Sequence, residues 1–248
     1  MIDDELLRYS RQIMLPQMDI AGQQALIDAK VLVVGLGGLG SPVAMYLAAA
    51  GVGSLVLVDD DVVELSNLQR QIAHGTDTLG LHKVDSAKLT LLRLNPGIEV
   101  TSVHERLEGA GVDALVSQCD IVVDACDNFQ TRFAVNASCV KFGKPLVSGA
   151  AIRMEGQIIV FNPVNASSPC YRCLYSDDVG EDLNCATNGV MAPLVGIIGA
   201  MQAMETIKLL TKIGQPLEGR LLLLDATTME WREVKLPKDP ECPVCGSL

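Results

Sequence analysis

Between Lys30 and Asp59 the chain runs strand, glycine turn, helix, strand, acid, and few folds accommodate that order. Lys30-Val31-Leu32-Val33-Val34 is a short apolar run rich in β-branched residues. It enters Gly35-Leu36-Gly37-Gly38-Leu39-Gly40, and Pro42–Ala50 follows as an apolar, alanine-rich helix. Leu55-Val56-Leu57-Val58 reads as the next strand and closes on Asp59, 19 residues past Gly40. A parallel crossover needs about this length, and the dinucleotide fingerprint places its ribose acid at about this distance. The physical basis is direct. Glycines let backbone approach a ligand, a helix N-terminus offers unpaired N–H groups, and a carboxylate accepts from ribose hydroxyls. A tight turn serving only helix–strand packing is the alternative.

The pattern continues beyond that unit. Residues 3–28 read as two short helices broken at Pro16, and Lys83–Leu94 as a helix that stops before Pro96. Ile98–Val103 and Asp120–Asp124 read as strands, Thr131–Lys141 as a helix and Pro145–Ser148 as a strand. Gln157–Phe161 comes soon after, so the sheet should turn antiparallel there. Pro193–Lys212 reads as a long helix, and Leu221–Leu224 with Trp231–Val234 as a closing hairpin. The expected fold class is α/β, a Rossmann-like open mixed sheet with a parallel first half and an antiparallel extension. No linker long enough to separate domains is visible. The chain reads as one domain, 1–248, with N-terminal helices in 1–29, a nucleotide-binding half in 30–150 and an elaborated half in 151–248.

Composition excludes several classes. The chain has 248 residues, 49% of them hydrophobic, and a mean hydropathy of +0.30, so a membrane span must be considered. The most apolar stretch, Ala192–Leu210, contains Gln202, Glu205 and Lys208, which suits a buried or interface helix better than a bilayer. The opening Met1-Ile2-Asp3-Asp4-Glu5 is acidic with no apolar run behind it, unlike a signal peptide. A soluble, cytoplasmic protein is expected, with no membrane partner. The net charge of −11 opposes nucleic acid over most of the surface.

The residues after the ribose acid decide the nucleotide. NAD is the ordinary expectation for such a turn. However, Asp61, Ser66, Asn67, Gln69, Arg70 and Lys83 come soon after Asp59, and two cations with polar neighbours suit a triphosphate. Either cation alone could be a surface charge. Asp127 and Asn128 lie just past the strand Ile121–Val123, where ligands bind in open α/β sheets. They suit two roles equally: holding magnesium between phosphates, or capping the next helix.

Eight cysteines and no export signal favour metal or thiol chemistry over disulfides. Cys170-Tyr171-Arg172-Cys173 and Cys242-Pro243-Val244-Cys245 are two C-x-x-C pairs, the pattern of a closed, structural zinc site that staples the C-terminal segment to the body. Cys119, Cys126 and Cys139 read as small core residues. Cys185 sits in a polar stretch, where it is either a nucleophile or an inert thiol with acidic neighbours.

Taken with Arg8-Tyr9-Ser10-Arg11-Gln12, Ser66-Asn67-Leu68-Gln69-Arg70 and Asp124-Ala125-Cys126-Asp127-Asn128, these motifs resemble the activating enzymes of ubiquitin-like sulfur carriers, the MoeB/ThiF/HesA family. The resemblance spans essentially the whole chain. It implies adenylation of a carrier's C-terminal glycine by ATP and magnesium, with release of pyrophosphate. Gly35, Gly37, Gly38 and Gly40 would then underlie the nucleotide, with Asp59 on the ribose and Asp61 near it. Asn67, Arg70 and Lys83 would hold phosphates, with Ser66 and Gln69 in the same motif. Asp127 would serve magnesium and the in-line attack, beside Asn128. Arg11 matches an arginine supplied by a partner subunit, so a homodimer is implied. The residues implied in catalysis are Arg70, Asp127, Arg11 and Lys83. An ionised carboxylate needs alignment and charge neutralisation rather than a base, so His74, His82 and His104 are left without a role.

Two branches of the family compete. Ser148–Gln157 and Gly189–Pro193 look like the molybdopterin-synthase activators, whereas the opening and Asp59-Asp60-Asp61 are similar to the thiamine enzymes. The thiamine branch uses a cysteine at the place of Cys185. The molybdopterin branch is the preferred reading. The implied partner is a carrier ending in Gly-Gly, and no rhodanese-like segment follows Cys245, so sulfur is expected from a separate protein. An NAD-dependent oxidoreductase and a non-catalytic, zinc-stapled scaffold are the competing classes.

Overall fold

Eight strands join in one sheet in the computed structural model, which describes residues 1–107, 109–176 and 188–246. In chain order they are β1 (Lys30–Val34), β2 (Ser54–Val58), β3 (Glu99–Val103), β4 (Ile121–Asp124), β5 (Leu146–Ile152), β6 (Glu155–Phe161), β7 (Arg220–Asp225) and β8 (Glu230–Lys235). Their spatial order is β3-β2-β1-β4-β5-β6-β7-β8. Neighbours from β3 to β5 are parallel and those from β5 to β8 antiparallel, as the sequence leads one to expect. The chain leaves β1 in one direction toward β2 and β3, then returns to lay β4 on the other side of β1. Such a reversal opens a crevice at the carboxyl ends of β1 and β4.

The helices are α1 (Asp3–Arg8), α2 (Ser10–Ile13), α3 (Asp19–Ile27), α4 (Gly40–Ala50), α5 (Lys83–Leu94), α6 (Ala110–Ser117), α7 (Phe129–Phe142), α8 (Tyr171–Leu174) and α9 (Ala192–Thr211). Strands β1, β2 and β4 are apolar but for one end residue each, because both faces are covered, whereas the edge strand β3 alternates apolar with exposed polar residues. Val31, Val33, Leu55, Leu57 and Val123 pack with residues of α3, α4, α5 and α9. Leu32, Val34, Val56, Val58 and Val122 pack on the other face with α6, α7 and Tyr171 of α8.

Helix α9 is long and apolar enough to cross a membrane by length and composition, yet it packs against α4, β5 and β6. Its polar residues have partners inside. The Gln202 amide donates to the Asp124 carbonyl at 2.7 Å, and Glu205 accepts from Leu217 N at 2.8 Å and from Lys208 at 2.6 Å. Gly199 permits the close crossing with α4, since a Cβ there would lie 2.6 Å from the Leu39 carbonyl oxygen.

Some boundaries differ from the sequence reading. The N-terminal segment forms three helices rather than two, and the first interruption falls at Tyr9, buried against Gly51 and Asn95. Helix α6 was not expected, because its short apolar stretch lacks a strong cap. Strands β5 and β6 run on to a two-residue turn at Arg153 (φ 53°) and Met154, since main-chain pairing continues past the apolar core.

Candidate functional site

The crevice between β1 and β4 is the mouth of a cavity of about 880 Å³. Gly35, Gly37 and Gly38 line it after β1, Asp59 and Asp61 after β2, and Asp127 and Asn128 after β4. Asn67, Arg70 and Lys83 complete its charged side.

The glycines have separate reasons. Gly35 sits at φ +90°, and a Cβ on it would meet the Ala125 carbonyl oxygen at 2.8 Å, so it lets the β1 and β4 turns touch. Gly40 lies outside the cavity lining. A Cβ there would stand 1.8 Å from the Gly35 carbonyl oxygen, so this glycine serves the packing of turn on helix. Gly37 has room, since a Cβ on it would meet only the Gln71 amide, at 3.6 Å, and its bareness faces the cavity.

Asp59 accepts from Leu36 N at 2.7 Å and from Asp61 N at 2.9 Å, which fixes its carboxylate against the glycine turn. Burial pushes this carboxyl above its ordinary range, while the Lys83 charge and these two N–H groups pull it back down. Lys83 is only 6% exposed and its ammonium meets Asp61 at 2.6 Å. Arg70 donates to the Ser66 carbonyl at 3.2 Å. Asn128 caps α7 by accepting from Thr131 N at 2.8 Å, whereas Asp127 makes no side-chain hydrogen bond or ion pair among the described residues. The two neighbours thus divide the two roles the sequence left open: Asn128 is the cap, and Asp127 is available to the cavity.

Other expected residues fall elsewhere. Ser66 and Gln69 are exposed and do not line the cavity. Arg11 lies on α2, also away from the lining, with its guanidinium near the Met14 sulfur at 3.9 Å. Cys185 lies outside the described residues. Cys119 and Cys139 are buried, and burial pushes the Cys119 thiol up to about 11, consistent with inert core residues.

Sequence patterning does not reveal Gln71 and Arg132. Gln71 is 3% exposed, lines the cavity, and carries a buried Oε1 with no hydrogen-bond partner. The 65–70 segment is a 3-10 turn followed by irregular turns, so no periodicity tells which of Gln69 and Gln71 faces inward. Arg132 is buried in the first turn of α7, and a lone cation on a helix face between Phe129 and Phe133 is the only signal for it. His74 is also structural. Its Nε2 donates to the Leu36 carbonyl at 2.9 Å, which leaves Nδ1 to accept from the Ser86 hydroxyl at 2.9 Å. Burial holds its pKa below the ordinary value.

The four paired cysteines converge at the far end of α7. All four Sγ atoms lie within 4.8 Å of one another, with Cys170–Cys242 at 3.7 Å and Cys173–Cys245 at 3.5 Å. Four thiolates about 2.3 Å from one zinc would stand about 3.8 Å apart, so the cluster fits a tetrahedral ion. Asn136 of α7 orients it, donating to Cys170 Sγ at 3.6 Å and accepting from Tyr171 N at 2.8 Å.

The chain is similar in sequence and fold to known proteins. A family model described as the ThiF family matches residues 9–244. The molybdopterin-synthase adenylyltransferase of Escherichia coli is 52% identical over 245 residues, covering 98% of each chain. The sulfur carrier protein ThiS adenylyltransferase of Escherichia coli is 46% identical over 246 residues, 99% of this chain and 97% of that one. Among solved structures, Escherichia coli MccB with AMPCPP and MccA matches with a TM-score of 0.84 at 26% identity, over 96% of this chain and 74% of that one. Fold, cavity and relatives together define an ATP-dependent adenylyltransferase on a Rossmann-like mixed sheet. The chain belongs to the ThiF family.

Proposed function

We propose that this adenylyltransferase activates the C-terminal glycine carboxylate of a small ubiquitin-like sulfur carrier, in preparation for thiocarboxylate formation. The preferred carrier is the small subunit of molybdopterin synthase, because the molybdopterin-synthase adenylyltransferase shares more identity than the ThiS enzyme does. The thiamine-branch carrier is the second reading. One observation carries the proposal. The cavity is continuous from the charged glycine-turn end to a wall formed by Ile152, Gln157, Tyr171, Tyr175 and Leu223. The first end suits a triphosphate, and the second suits an extended tail without side chains.

The chemistry depends on alignment. The carrier carboxylate is already ionised and attacks the α-phosphorus. A carboxyl–phosphorus bond forms, the bond between the α-phosphorus and the β-bridging oxygen breaks, and pyrophosphate leaves. Arg70 and Lys83 neutralise charge on the phosphates, with Lys83 exchanging Asp61 for the ligand. Asp59 holds the ribose. Asp127 is the residue that would hold magnesium, which would supply further charge neutralisation to the phosphates.

The supporting parts are proposals of the same kind. Zinc is the ion for the cysteine cluster. A homodimer would bring Arg11 to the partner's phosphates, and the exposed Leu7, Met14, Leu15 and Ile20 of the N-terminal segment favour a second copy there. The working division is N-terminal helices 1–29, nucleotide half 30–150 and carrier half 151–248 within one adenylating domain. Sulfur comes from a separate donor. Thiolate metal sites persist where thiols stay reduced, which favours the cytoplasm. The test is ATP–pyrophosphate exchange with purified Gly-Gly carriers. Exchange that requires carrier and magnesium is expected, faster with the molybdopterin carrier. No exchange with either carrier would sink the reading.

A further inference from the structure

Beneath Asp127 lies an ion pair that the adenylation chemistry does not use. Arg132 and Asp124 are 6% and 1% exposed, and their side chains approach at 3.5 Å. Together they enclose Cys126, the residue before Asp127. Asp124 Oδ1 accepts from Cys126 N at 3.2 Å and from its Sγ at 2.8 Å. Arg132 closes on the other side, donating from Nε at 3.2 Å and from a terminal nitrogen at 2.6 Å to the Cys126 carbonyl. The same terminal nitrogen reaches the Gly149 carbonyl on β5 at 2.8 Å. Ser148 of β5 donates to the Asp124 carboxylate at 2.7 Å.

We propose that Arg132 is a positioning residue of the adenylation reaction, one that fixes the peptide from which Asp127 projects and its distance from β5. This rests on the reading of Asp127 as the magnesium-holding residue. Three features argue for positioning beyond simple support. The Cys126 carbonyl carbon is bonded to the Asp127 nitrogen, so holding that oxygen from two donors fixes the plane of the Cys126–Asp127 peptide. A guanidinium has no acceptor and cannot cap the α7 N-terminus, where Asn128 accepts from Thr131 N, so its buried donors serve the carbonyls of Cys126 and Gly149. A buried ion pair is also weak evidence for stability alone, since apolar residues of similar volume commonly do as well. Only a planar, forked cation reaches Asp124, Cys126 and Gly149 together, so lysine is a poor replacement. Tyr171, whose hydroxyl lies 3.4 Å from the guanidinium, extends the support to the helix between the first two cluster cysteines.

The test uses full-length wild type, Arg132→Lys, and the double variant Asp124→Asn with Arg132→Gln, which leaves no unpaired buried charge if the lysine variant fails to fold. Affinity for metal-free ATP and for the manganese complex of ATP is measured by calorimetry, alongside the exchange rate. Metal-free ATP affinity should stay within about threefold, while metal-dependent affinity and exchange kcat each fall on the order of tenfold or more. The KM for the carrier should change little. Equal losses with and without metal, or wild-type behaviour of the folded variants, would overturn the proposal. The calorimetric arm does not need turnover. Failure of exchange in wild type therefore counts against the functional reading, and the metal-dependent affinities still decide the role of Arg132.

Discussion

The two halves of the sheet solve different problems. In the parallel half, β1 to β4, the functional groups hang on turns at strand ends, and close backbone contacts such as Gly35 on Ala125 fix their positions. In the antiparallel half, the cavity wall combines strand side chains with Tyr171 and Tyr175 at α8, and the local brace is a cluster of four cysteines. A charged ligand needs rigid, convergent dipoles and cations, which turns at a switch point provide. An extended chain needs a wall, which paired strands provide. The glycine turn is thus a backbone device, whereas the opposite wall of the cavity is a side-chain device. Arg132 and Asp124 stand at the seam and tie β4 to β5.

The contrast can be broken most sharply in the parallel half. Asp127→Ala or Arg70→Ala should lower exchange kcat by about 100-fold or more with Tm nearly unchanged, as read by pyrophosphate exchange beside calorimetry. If antiparallel-wall variants such as Gln157→Ala cost as much, the division of labour is wrong. Next come the glycines. Gly40→Ala should cost about 3 kcal/mol of stability through its clash with Gly35, while Gly37→Ala should fold normally and weaken ATP binding. Urea melts and nucleotide titrations separate the two. In the other half, Cys242→Ser should abolish stoichiometric metal and lower Tm on the order of 10 °C, with a smaller effect on ATP affinity. Metal analysis and a thermal melt check this.

Two smaller effects sharpen the picture. Gln71→Leu should raise the KM for ATP by several-fold, about 1 kcal/mol, whereas Gln69→Leu should leave it unchanged. Equal effects would show that the inward placement of Gln71 does not matter. Finally, His74 has its pKa lowered by burial, so the unfolded chain takes up its proton first, near 6.5. Stability should therefore be constant above that pH and decline as pH falls through the window below it, by a few degrees of Tm. His74→Gln can still donate to the Leu36 carbonyl and should flatten that decline.

Much of this was legible in the residues because the signals are local. β1, the glycine turn, α4 and β2 follow from apolar runs and glycine spacing, and the cysteine pairs from their repeated C-x-x-C. The irregular turn after Asp61 was not legible. Ser66 and Gln69 carry the same chemistry as Asn67 and Gln71, yet only the latter two face the cavity. Which side chain points inward in an aperiodic turn depends on what packs over it. For the same reason Asp127 and Asn128 could not be told apart until α7 showed which one caps it.

The sequence by itself determined the strand–turn–helix order, the charged and polar set that follows Asp59 and the four paired thiols, because each depends on residues close together in the chain or on a repeated pair. Only the tertiary structure decided that Gly40 serves packing rather than the cavity, that Gln71 and not Gln69 turns inward, and that Arg132 meets Asp124, Cys126 and Gly149. Those outcomes depend on contacts between segments distant in sequence, and local patterning carries no record of which segments will meet.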